Sequence, residues 1–505
     1  MTLDFVSRID FFWALLPEIV LSCWAMAVLL VGVWEKEEPG VPPGNLRTLA
    51  WLSIAGLVVA ALVNGWLYRV SGVDPSGMIA LDSFRLFSNW IFLLGAALTI
   101  LVSIPYVARQ RLQAGEFYTL VLLATVGMMV MAGTRNLILL FLAIETMSIS
   151  AYVLTAYNRR DAKSAEAGLK YFILGAFSSG FLLYGIALVW GATGTVNLAE
   201  IAQTIEAGAG FTGLLMAGMA LLGIGFAFKV GAVPFHMWTP DAYEGAPSPS
   251  TAFMAAAVKA ASFVAFLRVF LEAFPALYEA WYPIVWWLAA LTMLVANLIA
   301  LSQSNVKRML AYSSVAHGGY LLVGVTAANE LATAGILFYL LIYTVMTIGA
   351  FGVLMIVSGH GEERLQVEDY SGFGWAQPVI AVLFTIFLLS LAGFPGTAGF
   401  MAKIYLLQGA VESQLWTLAI LLALTTVVSY YYYLRVAWYM WMRPAEEGVP
   451  TGQIYAPPFV RIALVGSAVI IIYLGVLPGG LLEGALVAAE HFGVSGGNVL
   501  TGLAR

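Results

Sequence analysis

Apolar residues in this chain come in long unbroken blocks, and the polar residues between them are confined to short connections. A helix needs roughly 20 apolar residues to cross the hydrocarbon core, and barrel strands would instead alternate apolar and polar positions. The blocks therefore predict about fourteen membrane-spanning helices, at roughly 11–33, 47–68, 84–107, 117–132, 136–157, 165–190, 211–232, 248–271, 281–303, 309–327, 331–357, 376–411 (interrupted), 413–441 and 459–478. The predicted fold class is an all-α polytopic membrane helical bundle. Composition agrees: of 505 residues 61% are hydrophobic and 10% charged, and a mean hydropathy of +0.90 excludes a water-soluble domain. The opening MTLDFVSRIDFF lacks the basic region, short apolar core and small-residue cleavage site of a signal peptide, so the first block is expected to stay as a span.

Two interruptions organise the rest. Spans four to eight and nine to thirteen each form a five-helix unit whose fourth helix is broken, at VGAVPFHMW around Pro234 and at LAGFPGTAGF around Pro395. A unit with an odd number of spans enters the membrane from the opposite side when repeated, which makes two inverted five-helix repeats with a site near the midplane. The expected units are 1–112, three N-terminal spans; 113–275, the first repeat; 276–445, the second; and 446–505, a last span and tail.

Ionisable residues inside the spans are costly and usually functional. Lys229 precedes Pro234, which cannot donate to the carbonyl of Val230, and Lys403 follows Gly393, Pro395, Gly396 and Gly399. Each lysine thus sits beside freed backbone groups that an intact helix would not offer. Glu145 lies mid-span in NLILLFLAIETMSISAYVL, where a carboxylate must be paired or protonated, and Lys170 and Lys229 are its expected partners. Lys259 lies in the Ala-rich AFMAAAVKAASF, and His317, flanked by Ser313, Ser314, Gly318 and Gly319, is placed as a relay between lysines. Glu145, Lys170, Lys229, Lys259, His317 and Lys403 together read as a line of protonatable groups at membrane depth, a proton-pumping device without a substrate pocket. Less weight falls on Tyr430 to Tyr433, read as interfacial aromatics and core packing, and on Glu18, read as a partner contact or an interfacial residue.

One cysteine and four scattered histidines leave no ligand set for a disulfide, an iron–sulfur cluster, haem or a metal, so no cofactor is expected in this chain. A phosphate loop, a nucleophile elbow and a basic stripe for nucleic acid are also missing from the sequence. Lys and Arg collect in loops that lie on one face if the N-terminus is outside: Lys36, Arg47, Arg109, Arg111, Arg159, Arg160, Lys163, Lys307, Arg308, Arg364, Arg443 and Arg461. Arg8, Arg69, Arg135 and Arg505 fall on the other. Both termini are then expected outside.

FKVGAVPFHMWTPDAYEGAPSPSTAFMA, ETMSISAYVLTAYNR, VKRMLAYSSVAHGGYLLVG and LAGFPGTAGFMAKIYLL closely resemble the antiporter-like N subunits of bacterial NADH-quinone oxidoreductase, respiratory complex I, called subunit 2 in mitochondria and plastids. The resemblance covers nearly the whole chain, and its tyrosine–glutamate–glycine stretch favours N over the sister subunits L and M. It implies a fourteen-helix subunit of the inner (plasma) membrane that moves a proton along a central charged axis. On this pattern Glu145 is the key glutamate, Lys229 the broken-helix lysine, Lys259 the central lysine and Lys403 the exit-side lysine, with Lys170 and His317 at further polar-axis positions. It also implies that NADH, FMN, iron–sulfur clusters and quinone belong to partner subunits, with K and M as membrane neighbours. Two other classes fit the residues: a subunit of a multisubunit Mrp-type sodium/proton antiporter, and a structural anchor that transports nothing.

Overall fold

The computed structural model describes residues 2–3, 8–34, 46–72, 78–208, 210, 212–358, 364–444 and 456–493. The long helices follow the apolar blocks: α1 (Leu16–Trp34), α2 (Leu46–Leu67), α3 (Ser83–Arg109), α4 (Ala114–Gly133), α5 (Leu137–Thr155) and α6 (Ala162–Thr193). Next come α7 (Thr212–Val230), the short α8 (Trp238–Gly245), α9 (Ser248–Ala273), α10 (Tyr278–Leu301), α11 (Val306–Ala327) and α12 (Glu330–Val357). The chain closes with α13 (Pro378–Ala392), α14 (Ala398–Glu412), α15 (Trp416–Met442), α16 (Pro458–Val476) and α17 (Gly479–Gly493). Among the described helices, twelve are long and apolar enough to cross a membrane. The more polar α11 and the shorter α13 and α14 complete the bundle.

Helix starts are written in side chains that accept from the first free N–H groups. Asp82 accepts from Arg85 N, Asn136 from Ile138 N and Leu139 N, Asp161 from Lys163 N, Asn305 from Arg308 N and Asn329 from Ala332 N. Within α9, the segment Met254–Val258 is a single π-turn, which ends at Lys259. Local widening of this kind is found mostly where a helix carries function.

The most deeply buried helices are α9 and α12, which pack on each other, and α11 beside α12 is almost wholly enclosed. Helices carrying Lys259 and His317 therefore occupy the middle of the bundle, while α1, α2, α6 and α15 form its outer wall. Both interrupted spans are broken in the structure. α7 stops at Val230 and helix resumes at Trp238; α13 stops at Ala392 and α14 starts at Ala398. Gly231, Gly393 and Gly396 take left-handed backbone at these breaks, with φ of 74°, 85° and 87°.

Three readings of the sequence change. The last span, expected to end near 478, is followed by a further 15-residue helix, α17, which turns off after Pro478 and packs on α3 and α12. Glu18 is neither a partner contact nor interfacial: it is buried and paired with Arg85 at 2.6 Å. Arg135 is more than a topology anchor, since its guanidinium meets Glu272 at 3.0 Å, and Glu272 and Asp82 both pair with Arg268. These ion pairs join α1 to α3, and α3 to the C-terminal end of α9.

Candidate functional site

The first break presents Lys229 at the end of α7. Its ammonium donates to Ser148 Oγ at 2.7 Å and to Tyr152 OH at 3.5 Å, both on α5, and is buried. Ser148 lies one turn beyond Glu145 on the same helix, so the acid and the lysine share a helix face without an ion pair between them among the described residues. Glu145 itself is half-buried and accepts from Ser179 Oγ of α6 at 2.5 Å.

Lys170 stands apart from this group. Its side chain is 45% exposed and is held by Glu166 at 2.8 Å and Asp241 at 3.0 Å. Asp241 and Glu244, from the polar segment after the break, also take Arg308, at 3.5 and 2.6 Å. Lys170 thus belongs to a rim of paired charges beside α8, and the expected direct pairing of Lys170 with Glu145 is not made. The sequence placed them on consecutive spans, but helix phase turns them to different neighbours.

In the bundle centre Lys259 donates to Ser314, to the backbone oxygen at 2.6 Å and to Oγ at 2.5 Å. The hydroxyls of Tyr243 and Tyr343 lie near the same serine. One turn along α11, His317 has both ring nitrogens engaged, Nδ1 with Tyr339 OH at 2.5 Å and Nε2 with Tyr433 OH at 3.2 Å. Tyr433 also bonds Ser313, and the His317 ring sits 4.9 Å from that of Tyr343.

The line goes on towards the second break. Asn297 donates to Tyr320 OH at 3.2 Å and accepts from Tyr432 OH at 3.0 Å. The Tyr320 ring lies edge-on to His317 at 5.4 Å, and the ammonium of Lys403 sits over it, 4.8 Å from the centroid. Lys403 donates to the carbonyls of Ala392 at 2.8 Å and Leu391 at 3.3 Å, the last turn of α13 before the break. Tyr430 OH donates to the next carbonyl, that of Gly393, at 2.8 Å.

Lys259, His317 and Lys403 are therefore linked by hydroxyls and rings inside one enclosed region, and Lys229 stands on its flank. The nearest partners of the amines are hydroxyls and carbonyls rather than carboxylates. A hydroxyl accepts and donates at once, so such a line can pass a proton or reorient, which a fixed ion pair cannot. Among the described residues no group of three or more His, Cys, Asp or Glu is arranged to hold a metal.

Sequence reasoning passed over the connecting hydroxyls. Ser148 was within reach of it, since it follows Glu145 at the i, i+3 spacing. Tyr432 and Tyr433, read as packing and interfacial aromatics, are fully buried and hydrogen-bonded into the site, whereas Tyr431 before them and Leu434 after them are exposed. A run of tyrosines carries no phase information of its own, because every position is amphipathic.

Comparison with known proteins agrees over almost the full length. Residues 134–429 match the family described as NADH:quinone oxidoreductase/Mrp antiporter, TM. The NADH-quinone oxidoreductase subunit N of Trichlorobacter lovleyi is 49% identical over 94% of this chain and 96% of its own. Among solved structures, a chain of respiratory complex I from Thermus thermophilus with bound aureothin is 36% identical, with a TM-score of 0.77 over 94% of this chain and 99% of its own. A chain of the Mrp complex from Dietzia sp. DQ12-45-1b, 20% identical with a TM-score of 0.81 over 96% and 98%, shares the fold. With half its residues identical to a curated N subunit across nearly the whole of both chains, this protein belongs to the family of NADH-quinone oxidoreductase N subunits.

Proposed function

We propose that this chain is the N-type membrane subunit of a bacterial NADH-quinone oxidoreductase and translocates protons along the line Glu145, Lys229, Lys259, His317, Lys403 while partner subunits carry electrons from NADH to quinone. The observation that carries the reading is the succession of hydroxyls and rings between the two buried lysines: Ser314 on Lys259, then on the same helix His317 bonded to Tyr339 and Tyr433 with its ring near that of Tyr343, and Tyr320 between His317 and Lys403. A buried lysine exchanges protons only when its neighbours can take or return them, and hydroxyls arranged in sequence do so. Lys170, on the charged rim with Glu166 and Asp241, is the further polar position at the edge of this line.

In this reading NADH, FMN, the iron–sulfur clusters and quinone reside in other subunits, and K and M are the membrane neighbours. The half-buried Glu145 lies on a wall where Leu142, Ile149, Phe172 and Phe177 are exposed, as a face covered by another membrane subunit would be. The protein sits in the bacterial inner membrane with both termini on the periplasmic side. Of the charges behind that orientation, Lys36 and Arg505 lie outside the described residues. The inverted relation of 113–275 and 276–445 rests on the two breaks falling in the fourth helix of each unit.

The test is proton pumping in the assembled complex. Lys229→Ala and Glu145→Gln each lower pumping and the quinone reduction coupled to it, and Lys229→Arg does not restore it, because guanidinium does not release its proton. Normal pumping by an assembled Lys229→Ala complex overturns the assignment. The Mrp-type reading shares the fold but has a less similar relative behind it, and sodium-dependent transport in a complex without redox subunits is the result that would favour it. A mere anchor would tolerate both substitutions.

A further inference from the structure

The break in α7 releases a backbone carbonyl that the line described above does not use. In an intact helix the oxygen of Val230 would accept from residue 234, but that residue is Pro234 and has no N–H. The tighter alternative, a bond from Val233 N, is also lost, because that N–H turns away to Thr292 Oγ1 of α10 at 2.9 Å. Both ordinary donors to Val230 are gone, and the residue is fully buried. A buried carbonyl left without a donor costs about 1–3 kcal/mol, so it is a strong acceptor for any group that can reach it.

What faces it is Gly318 of α11. A Cβ built on Gly318 would lie 3.2 Å from Val230 O and 4.0 Å from the ammonium of Lys259, with the Phe263 ring edge at 4.0 Å. The missing side chain thus lets the released carbonyl and the central lysine approach one spot, each within 4.0 Å of where a Cβ would stand. At this glycine α11 comes close to the end of α7, with a backbone oxygen as the nearest atom. Its neighbour Gly319 does serve packing, since a Cβ there would strike Met293 N and Cγ at 2.8 Å, whereas at Gly318 the one tight neighbour is the carbonyl oxygen itself.

The second break supplies the precedent within the same molecule. There Lys403 donates to the released carbonyls of Leu391 and Ala392. At the first break the local lysine, Lys229, turns instead to Ser148, and the carbonyl of Val230 is left beside Gly318, near Lys259.

We propose that the Val230 carbonyl is the second hydrogen-bond station of Lys259, reached across the gap that Gly318 keeps open, and that Gly318 is a positioning residue of the proton line. Lys259 is bonded to Ser314 in this structure. Transfer of its ammonium, or of a water bonded to it, to Val230 moves positive charge towards the residue adjoining Lys229. That step connects the flanking lysine to the central one, the junction for which no side-chain hydrogen bond is recorded among the described residues.

The inference rests on the proton-line reading, so its test runs in the intact complex beside Lys259→Ala. Gly318→Ala closes the gap and lowers protons pumped per NADH oxidised to the level of Lys259→Ala, at equal assembly. Gly318→Ser restores part of that loss, because its hydroxyl accepts from Lys259 and donates to Val230; a purely steric role predicts that the larger serine is at least as damaging as alanine. Thr292→Val, which touches neither Gly318 nor Lys259 by hydrogen bond, frees Val233 N–H to occupy the Val230 oxygen and gives the same defect from the opposite side. Normal pumping by Gly318→Ala and Thr292→Val, in complexes where Lys259→Ala fails, overturns the station while leaving the line intact. Serine as damaging as alanine also overturns it. Normal pumping by Lys259→Ala overturns the line itself.

Discussion

The two helix breaks solve one problem in different ways. Each interrupts a span with proline and left-handed glycine, and each has a buried lysine close by. At the second break the lysine lies after the interruption and reaches back to bond the carbonyls of Leu391 and Ala392, with Tyr430 completing the cap on Gly393. At the first, the lysine lies before the interruption and points away, to Ser148 and Tyr152 on another helix. Lys403 is therefore part of what holds its break together, and Lys229 is not. The difference separates two jobs that a buried lysine can do, satisfying backbone and carrying charge, and indicates that only the second break combines them.

The largest expected effect separates the two lysines by stability. Lys229→Ala and Lys403→Ala both lower pumping, but only the second strips donors from two buried carbonyls, at about 1–3 kcal/mol each if they stay dry. Ser148 keeps a partner in either case, since its Oγ already donates to Ile144 O at 2.6 Å. The Lys403→Ala complex should thus show the lower thermal midpoint in detergent. Equal midpoints for the two variants would erase the distinction drawn here.

Lys403→Arg sharpens it. A guanidinium has donors to spare for the α13 carbonyls but does not give up its proton, so assembly and thermal stability return towards the native level while pumping does not. Pumping restored together with stability would mean that the lysine acts only through the backbone.

A smaller effect is expected midway between the breaks. His317→Ala should impair pumping less than Lys229→Ala, because water can replace a bridging imidazole but not a charge that sets its neighbours' proton affinity. Side-by-side assays at equal assembly decide it, and losses of equal size would make the histidine a switch in its own right. The smallest change is that of Tyr430→Phe, which removes the hydroxyl on Gly393 O and should lower stability by about 0.5–1.5 kcal/mol with pumping retained. A pumping defect there would show that the cap as well as the lysine belongs to the transport machinery.

The sequence by itself determined most of the spans, the two breaks and the buried lysines Lys229, Lys259 and Lys403. Block length fixes a membrane helix because the bilayer has a set thickness, proline and glycine mark interruptions by removing a donor and permitting left-handed backbone, and lysine at apolar depth is rare enough to notice. It did not determine which groups meet. Glu145 and Lys170 look like partners along the chain, yet helix phase gives one to Ser179 and the other to Glu166 and Asp241. Glu18 and Arg85 are 67 residues apart and still form a buried pair. Most of all, the connecting elements of the site are hydroxyls and carbonyls: Ser314, Tyr339, Tyr433, the oxygen of Ala392. Such groups occur all along a membrane chain, and their neighbours across helices alone decide whether each one closes its own turn or extends a line between lysines. Only the packing of α9, α11, α12 and α15 around one buried centre made that choice.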